Sequence, residues 1–312
     1  MPNLAEAPRC PITGAPGSVL VEELSPKFLT DLWRHGLGVD PAPLSAGSPR
    51  IGLWRAASGL YFFSPAEAGG EAFYRGFYSR HGAYAVLSDH AGERTDFLAG
   101  AAVIRPGDRV LDIGCGQGAF ASLVPQARYT GLDLHGEPLP GGPLVLRESL
   151  AEHAERHPGA YDVACGFQVL EHVADPLGMA AAMVRCLRPG GLLVLAMPLR
   201  GGLLNQIPNC LLNLPPHHLS WWTAEAAEAL AGTLGLQVVR TGPLAACRAH
   251  ARMAWLIRLL PPALRSGPAL RTGWPLLLWL MLAWRLAGPL AATLGLPRAA
   301  LPPDLLLVAR KA

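Results

Sequence analysis

The chain has 312 residues, half of them hydrophobic, and a formal net charge of +3. That length allows one large domain with appendages and a sizeable core. The near balance of charge, carried on the basic side by arginines apart from Lys27 and Lys311, excludes a global nucleic-acid-binding signature.

The six cysteines, Cys10, Cys115, Cys165, Cys186, Cys210 and Cys247, lack pairs at ligand spacing. They predict free thiols in a reducing compartment and no metal. Met1–Glu6 shows no basic stretch followed by an apolar core, so no signal peptide is expected and a cytoplasmic location is.

Residues 1–83 form a region of mixed character. Ser25-Pro26 opens a short helix, with Ser25 as N-cap and Pro26 at its first position. Leu53-Trp54 and Leu60–Phe63 read as short strands. Glu71–Arg80 carries Phe73, Tyr74, Phe77 and Tyr78 at helical spacing, which favours a helix packed on the main domain over substrate contact. Tyr84–Ile104 reads as another helix.

Val110–Gly118, Val-Leu-Asp-Ile-Gly-Cys-Gly-Gln-Gly, is the stretch around which the remainder of the chain is organised. A buried strand runs into Gly114, Gly116 and Gly118, and Ala119–Val124 can begin a helix. Glycine lets backbone approach a ligand and take positive φ. Asp112 stands where a carboxylate can face an ammonium or fix the loop. The dinucleotide pattern Gly-x-Gly-x-x-Gly is absent.

Strands and helices then alternate, which implies parallel βαβ units. Tyr129–Leu134 is a strand ending at Asp133. An acid about 20 residues past the glycines can accept ribose hydroxyls, or it can be a solvated strand-end carboxylate. Leu144–Leu150 is a third strand and its loop, Tyr161–Val173 a fourth strand beginning at Tyr161-Asp162 and its loop, and Leu192–Pro198 a fifth strand. Pro176 begins a helix that Leu187–Gly191 ends. After a loop at 201–214 come His217-His218-Leu219, then Thr223 as the N-cap of a helix with Glu225 in its first turn. Gly235–Arg240 and Asp304–Lys311 are the sixth and seventh strands.

The glycine turn, Asp133, Tyr161-Asp162 with Leu170-Glu171-His172-Val173, and Leu187-Arg188-Pro189-Gly190-Gly191 together resemble the class I S-adenosylmethionine-dependent methyltransferases, of the type 11/12-like kind. The resemblance is strong over 84–245 and 304–312 and loose over 1–83. It implies a Rossmann-like three-layer α/β sandwich with a mixed seven-stranded sheet, the last strand antiparallel. It implies S-adenosylmethionine held by Asp112, Gly114, Cys115, Gly116 and Gly118, with Asp133 and Leu134 at the ribose. Glu148 and Ser149 are candidates beside the adenine, or else a surface loop, and Gln168 is expected at the amino-acid part. Cys10, Thr13, Arg55 and Ser58 stand where relatives have the ligands of a zinc ribbon. One Cys of four leaves that ribbon without metal. The aromatic helix often covers the cofactor in this family, which directs attention to Tyr74 and Tyr78. His217 and His218 are candidate catalytic residues that could take a proton from an acceptor hydroxyl, or one of them could only brace the loop.

Residues 246–303 are an apolar, basic insertion; 241–303 contain no Asp or Glu and seven arginines. Trp274–Leu296 has the length of a membrane span, but Arg285 and Pro289 interrupt it, and a return of 304–311 to the sheet requires an even number of crossings. Amphipathic helices lying in an interface are favoured, with peripheral contact through 250–300 at the inner face of a membrane; helices covering the domain are the alternative. The expected activity is methyl transfer to a small-molecule or lipid-linked acceptor at oxygen. Two other classes stay open: a non-catalytic, membrane-associated S-adenosylmethionine-binding scaffold, and a nucleotide-dependent oxidoreductase.

Overall fold

The computed structural model describes residues 7–41, 44, 50–81, 91–136, 141–265 and 267–312; for 78–81 and 274 only the backbone is described. Strands β1 (Val19–Leu24), β2 (Ile51–Arg55) and β3 (Tyr61–Ser64) pair antiparallel. Helix α1 (Pro26–Leu32) starts as the sequence predicts: Ser25 Oγ accepts from Phe28 N at 3.3 Å, which satisfies one orphan donor of the first turn. Helix α2 (Glu71–His81) carries the aromatic stripe. Phe73 and Phe77 turn inward onto Trp33, at centroid separations of 5.0 and 6.1 Å, so this face of α2 is core.

The larger sheet begins with β4 (Arg109–Ile113), β5 (Arg128–Leu132) and β6 (Val145–Leu146), followed by β7 (Tyr161–Phe167) and β8 (Leu187–Pro198). Strand β9 (Ser220–Trp221) leaves this run and pairs with β3, so the N-terminal sheet is completed by a distant piece of chain. Strands β10 (Gln237–Leu244) and β11 (Asp304–Arg310) close the larger sheet. Its order is β10-β11-β8-β7-β4-β5-β6. β4 to β8 run parallel, and β11 is antiparallel to both β8 and β10. This is the mixed seven-stranded sheet that the resemblance implies.

Period-two alternation sorts side chains onto two faces. Leu111, Ile113, Leu193, Leu195, Leu305 and Leu307 meet helices α4 (Leu150–Arg156), α5 (Pro176–Cys186) and α6 (Ala224–Thr233). Val110, Val194, Ala196, Leu306 and Val308 meet the other layer, built on α3 (Thr95–Ala101) and Phe120. Phe97, Phe120 and Phe167 touch one another there at 4.6–5.2 Å between centroids. The sheet is therefore covered on both sides, as parallel strands require.

Several element boundaries differ from expectation. The helix foreseen over 84–104 is a turn at Ala91–Glu93 followed by α3, and its portion at 84–90 lies outside the described residues. The helix after the glycines is a single 3-10 turn, Ala119–Leu123. Pro125 disfavours helical backbone at Val124, which sits at φ −128°, ψ 47°. Strand β8 starts at Leu187 rather than Leu192. The end of β11 holds the Arg188–Gly191 segment through Gly190 N to Lys311 O and Lys311 N to Gly191 O, both 2.9 Å. β10 continues past Arg240 to Leu244 because β11 pairs with it along its whole length.

Between β10 and β11 lie helices α7 (Ala251–Leu259), α8 (Pro262–Arg265) and α9 (Trp274–Leu294). Ala283 and Ala287 of α9 are buried against Leu256 of α7. Arg252 stacks over Trp284 at 3.7 Å. Most of α9 faces outward: Leu278, Met281, Leu282 and Leu286 are 44–58% exposed. Among the described residues it is the one helix long and apolar enough to cross a membrane.

Candidate functional site

In an open α/β sheet, the crevice lies beyond the carboxyl ends of strands where the strand order reverses. Here that point lies between β4 and β7, since β5 and β6 are laid to one side of β4 and β7 to the other. Two loops meet at it. Gly114, directly after β4, has φ +67°, and a Cβ there would stand 2.6 Å from Val169 Cγ2 in the loop after β7. Gly118 has φ +81°, and a Cβ would stand 2.5 Å from Pro143 Cγ. The turn accepts only glycine at these positions, for backbone and for space.

The Asp133 carboxylate holds this turn. Its Oδ2 accepts from Gly116 N at 2.8 Å; its Oδ1 accepts from His135 N at 2.8 Å and Gly136 N at 2.6 Å. Three of about four acceptor positions are thereby used. Leu134 beside it is 58% exposed. Asp112 is buried at the end of β4. Its Oδ2 accepts from the Tyr129 hydroxyl at 2.7 Å, and the Cys165 thiol lies 3.7 Å from its Oδ1. Burial raises the Asp112 carboxyl to about 7, against the lowering effect of the Tyr129 and Cys165 hydrogen bonds. Burial first, and Asp112 second, push the Cys115 thiol up, so it is no ready nucleophile.

Glu148 and Ser149 are engaged in their own helix. Ser149 caps α4 in a reciprocal box with Glu152. Glu148 pairs with His153 and Arg156. Gln168 adopts left-handed backbone, φ 61°, and its side chain acts to lower the Asp304 carboxyl against the upward push of burial.

A second group of polar side chains sits past the β7 loop. His172, His217 and His218 come together, with ring centroids 4.5–4.8 Å apart. His172 Nδ1 donates to His217 O at 2.6 Å, and His217 Nδ1 to Leu212 O at 2.9 Å. His218 Nδ1 lies 3.2 Å from Asn213 Oδ1. Burial lowers His172 to about 4 and holds His217 and His218 well below the ordinary imidazole value, so all three are neutral. The aromatic helix reaches this cluster: Tyr74 lies 6.2 Å from His172, and Phe77 5.1 Å from His217, between ring centroids. Tyr78 falls outside the described side chains.

Behind these rings lie acids of which the sequence analysis named only Glu171, as part of the Leu170–Val173 motif. Glu171 is fully buried, and neither carboxylate oxygen has a hydrogen-bond partner. Burial, with Asp304 and Asp96 adding to it, raises its carboxyl well above the usual range. Asp304 at the head of β11 is raised to about 7 by burial and by Asp96. Arg94 clasps Asp96 through two bonds of 3.1 and 2.6 Å. The available signal for Asp304 was its position, a lone acid opening an apolar run after 75 acid-free residues, 229–303. At the N-terminus, Cys10 Sγ stands 3.3 Å from Ser58 Oγ, so the four ribbon-like positions include a hydrogen-bonded pair.

A family model described as a methyltransferase domain matches residues 80–241, just over half of the chain. The chain belongs to the family of S-adenosylmethionine-dependent methyltransferases. The donor in this family is S-adenosylmethionine. The chain is similar to the ubiquinone biosynthesis O-methyltransferase of Sodalis glossinidius, 43% identical over 97 residues, which are 27% of this chain and 39% of that protein. It is 39% identical to the Klebsiella pneumoniae (strain 342) protein of the same name over 97 residues, 27% and 40% of the two chains. The chain thus spans about two fifths of the length of these curated relatives. Among solved structures, it is similar to the 1,6-didemethyltoxoflavin-N1-methyltransferase of Burkholderia thailandensis (17% identity, 87% and 99% of the two chains, TM-score 0.48). It is also similar to a SAM-dependent methyltransferase from Archaeoglobus fulgidus (16% identity, 72% and 99%, TM-score 0.45).

The residues of the crevice fit the donor: a glycine cradle closed to any Cβ and a carboxylate at the strand end. A buried acid raised to about 7 in the fold, from 3.8, stabilises the ligand-free protein fully below pH 4, and that contribution is lost as pH rises through 7. Asp112→Asn should therefore gain stability relative to the parent across this window. Urea unfolding at pH 5, 6, 7 and 8 measures it; parallel pH curves for parent and variant would show that Asp112 is ionised in the fold.

Proposed function

We propose that this protein methylates an oxygen of a small-molecule or lipid-linked acceptor. The observation that carries the reading is the Asp133 carboxylate clamped on Gly116 N, which fixes a glycine cradle at the switch point of the sheet. In this reading Asp112, Gly114, Cys115, Gly116, Gly118 and Gln168 hold the amino-acid part of the donor, and Asp133 and Leu134 the ribose side. One Asp133 acceptor position is left for a hydroxyl; clasping two requires the His135–Gly136 turn to yield. Glu148 and Ser149 bound the adenine end through backbone, since their side chains serve α4. The bound donor supplies an electrophilic methyl, which an acceptor oxygen displaces in line.

The acceptor side is the histidine cluster. It begins four residues after Gln168, so one loop serves both halves of the site. Neutral imidazoles of lowered basicity are hydrogen-bond acceptors more than proton sinks. They orient an acceptor hydroxyl, and orientation supplies much of the rate. Oxygen is favoured because the curated relatives are O-methyltransferases by name. His217→Ala and His218→Ala should each lower acceptor turnover about 10- to 100-fold, with S-adenosylmethionine affinity unchanged. Labelled methyl transfer to a lipid extract and to a panel of phenols, with the product's methyl placed by NMR, measures this. Full turnover in both variants, or methyl found on nitrogen, would contradict it.

The insertion supports the lipid side of the reading. Residues 241–303 carry arginine and no acid, and the outer face of α9 is a stripe of Leu278, Leu282 and Leu286 flanked by Met281. An apolar stripe with only cations beside it suits an anionic bilayer surface. We place the protein at the cytoplasmic face of a membrane, with 84–245 and 304–312 as the catalytic unit and 246–303 as its contact. Anionic vesicles should float the parent protein and not the Leu278→Glu/Leu282→Glu/Leu286→Glu variant. Equal behaviour of the two would remove the membrane contact.

A further inference from the structure

Cysteine spacing speaks against a metal among the thiols, but it is silent about histidines that tertiary structure gathers. His172, His217 and His218 each offer a ring nitrogen, and the three atoms lie within 4.8 Å of one another. Each ring's Nδ1 has an oxygen at 2.6–3.2 Å: His217 O, Leu212 O and Asn213 Oδ1. Imidazoles that bind a metal through one nitrogen characteristically engage the other in this way, which sets the tautomer and the ring orientation. The fully buried Glu171 carboxylate has no hydrogen-bond partner, and its Oε1 is 3.9 Å from His172 Nε2.

From this arrangement we infer that His172, His217 and His218 bind one divalent transition-metal ion of the zinc type, with Glu171 as its counter-charge. Three nitrogen atoms at the corners of a 4.8 Å triangle lie about 2.8 Å from its centre; moving each inward by about 0.7 Å reaches the usual Zn–N distance of about 2.0–2.1 Å. Nitrogen donors select zinc, cobalt, nickel or ferrous iron over magnesium and calcium. Binding would also answer one otherwise unfavourable feature, a buried carboxylate with nothing to bond. Three protein ligands leave a position open, the mark of sites that take a further oxygen ligand. An acceptor hydroxyl is the group that the adjoining donor site would bring there. The ion site itself does not depend on methyl transfer being the activity.

The test is metal binding by the whole, chelator-stripped protein. Titration with Co2+ should give one equivalent with tetrahedral ligand-field absorption, displaced by Zn2+ and not by excess Mg2+. His217→Ala/His218→Ala should weaken Co2+ at least tenfold, and His172→Gln should do the same with a smaller change in packing. S-adenosylmethionine binding, read in parallel, reports that each variant is folded and keeps failure of the donor site separate from failure of the ion site. No stoichiometric binding by the parent would overturn the inference. So would Co2+ binding that survives in folded histidine variants, binding abolished by thiol alkylation alone, or displacement by Mg2+.

Discussion

The Asp133 carboxylate on the Gly116 amide is the contact on which the rest of the site depends. It ties the end of β5 to the turn after β4, and two further amides, of His135 and Gly136, fix the carboxylate itself. A hydrogen bond to a charged group contributes about 1.5–3 kcal/mol. Three on one carboxylate are enough to hold a backbone that three positive-φ glycines would otherwise leave loose. A Cβ at Gly136 would stand 2.3 Å from Gly116 O, so the two loops touch with no spare room. The cradle is shaped by backbone and by this one carboxylate.

Around that cradle the protein spends its interior on charge. Asp112, Asp304 and Glu171 are buried near the carboxyl ends of the strands, and burial holds all three carboxyls upward. Arg94 is bound to Asp96 rather than to any of them. Such an arrangement gives up stability to keep polar groups in a crevice where cationic ligands and acceptor hydroxyls can be met. The two halves of the site share the Gln168–His172 loop, and its left-handed Gln168 turns the chain from the donor side toward the histidines.

Much of this was legible in the sequence for physical reasons. Continuous apolar runs in Leu192–Pro198 and Asp304–Lys311 marked strands buried on both faces, and the three glycines marked the turn. The acid at Asp133 was legible by its distance from the glycines; its role as a loop clamp was not, because that depends on which amides fold back onto it. The histidine cluster was half visible. His217-His218 stood out, while His172, 45 residues earlier, joins them only through tertiary contacts such as its bond to His217 O. The pairing of Ser220-Trp221 with β3 was likewise invisible, since a two-residue strand has no period to read. The failed helix after Gly118 shows local chemistry winning over pattern: Pro125 stops it after one turn.

The most direct measurement is calorimetric titration of the purified chain with S-adenosylmethionine and, separately, with NAD(H), repeated on Asp133→Ala. The account predicts one S-adenosylmethionine site, no heat with NAD(H), and at least about a tenfold loss of affinity in the variant, the equivalent of one charged hydrogen bond. Binding of NAD(H) without S-adenosylmethionine, or a variant that binds as tightly as the parent, would contradict it.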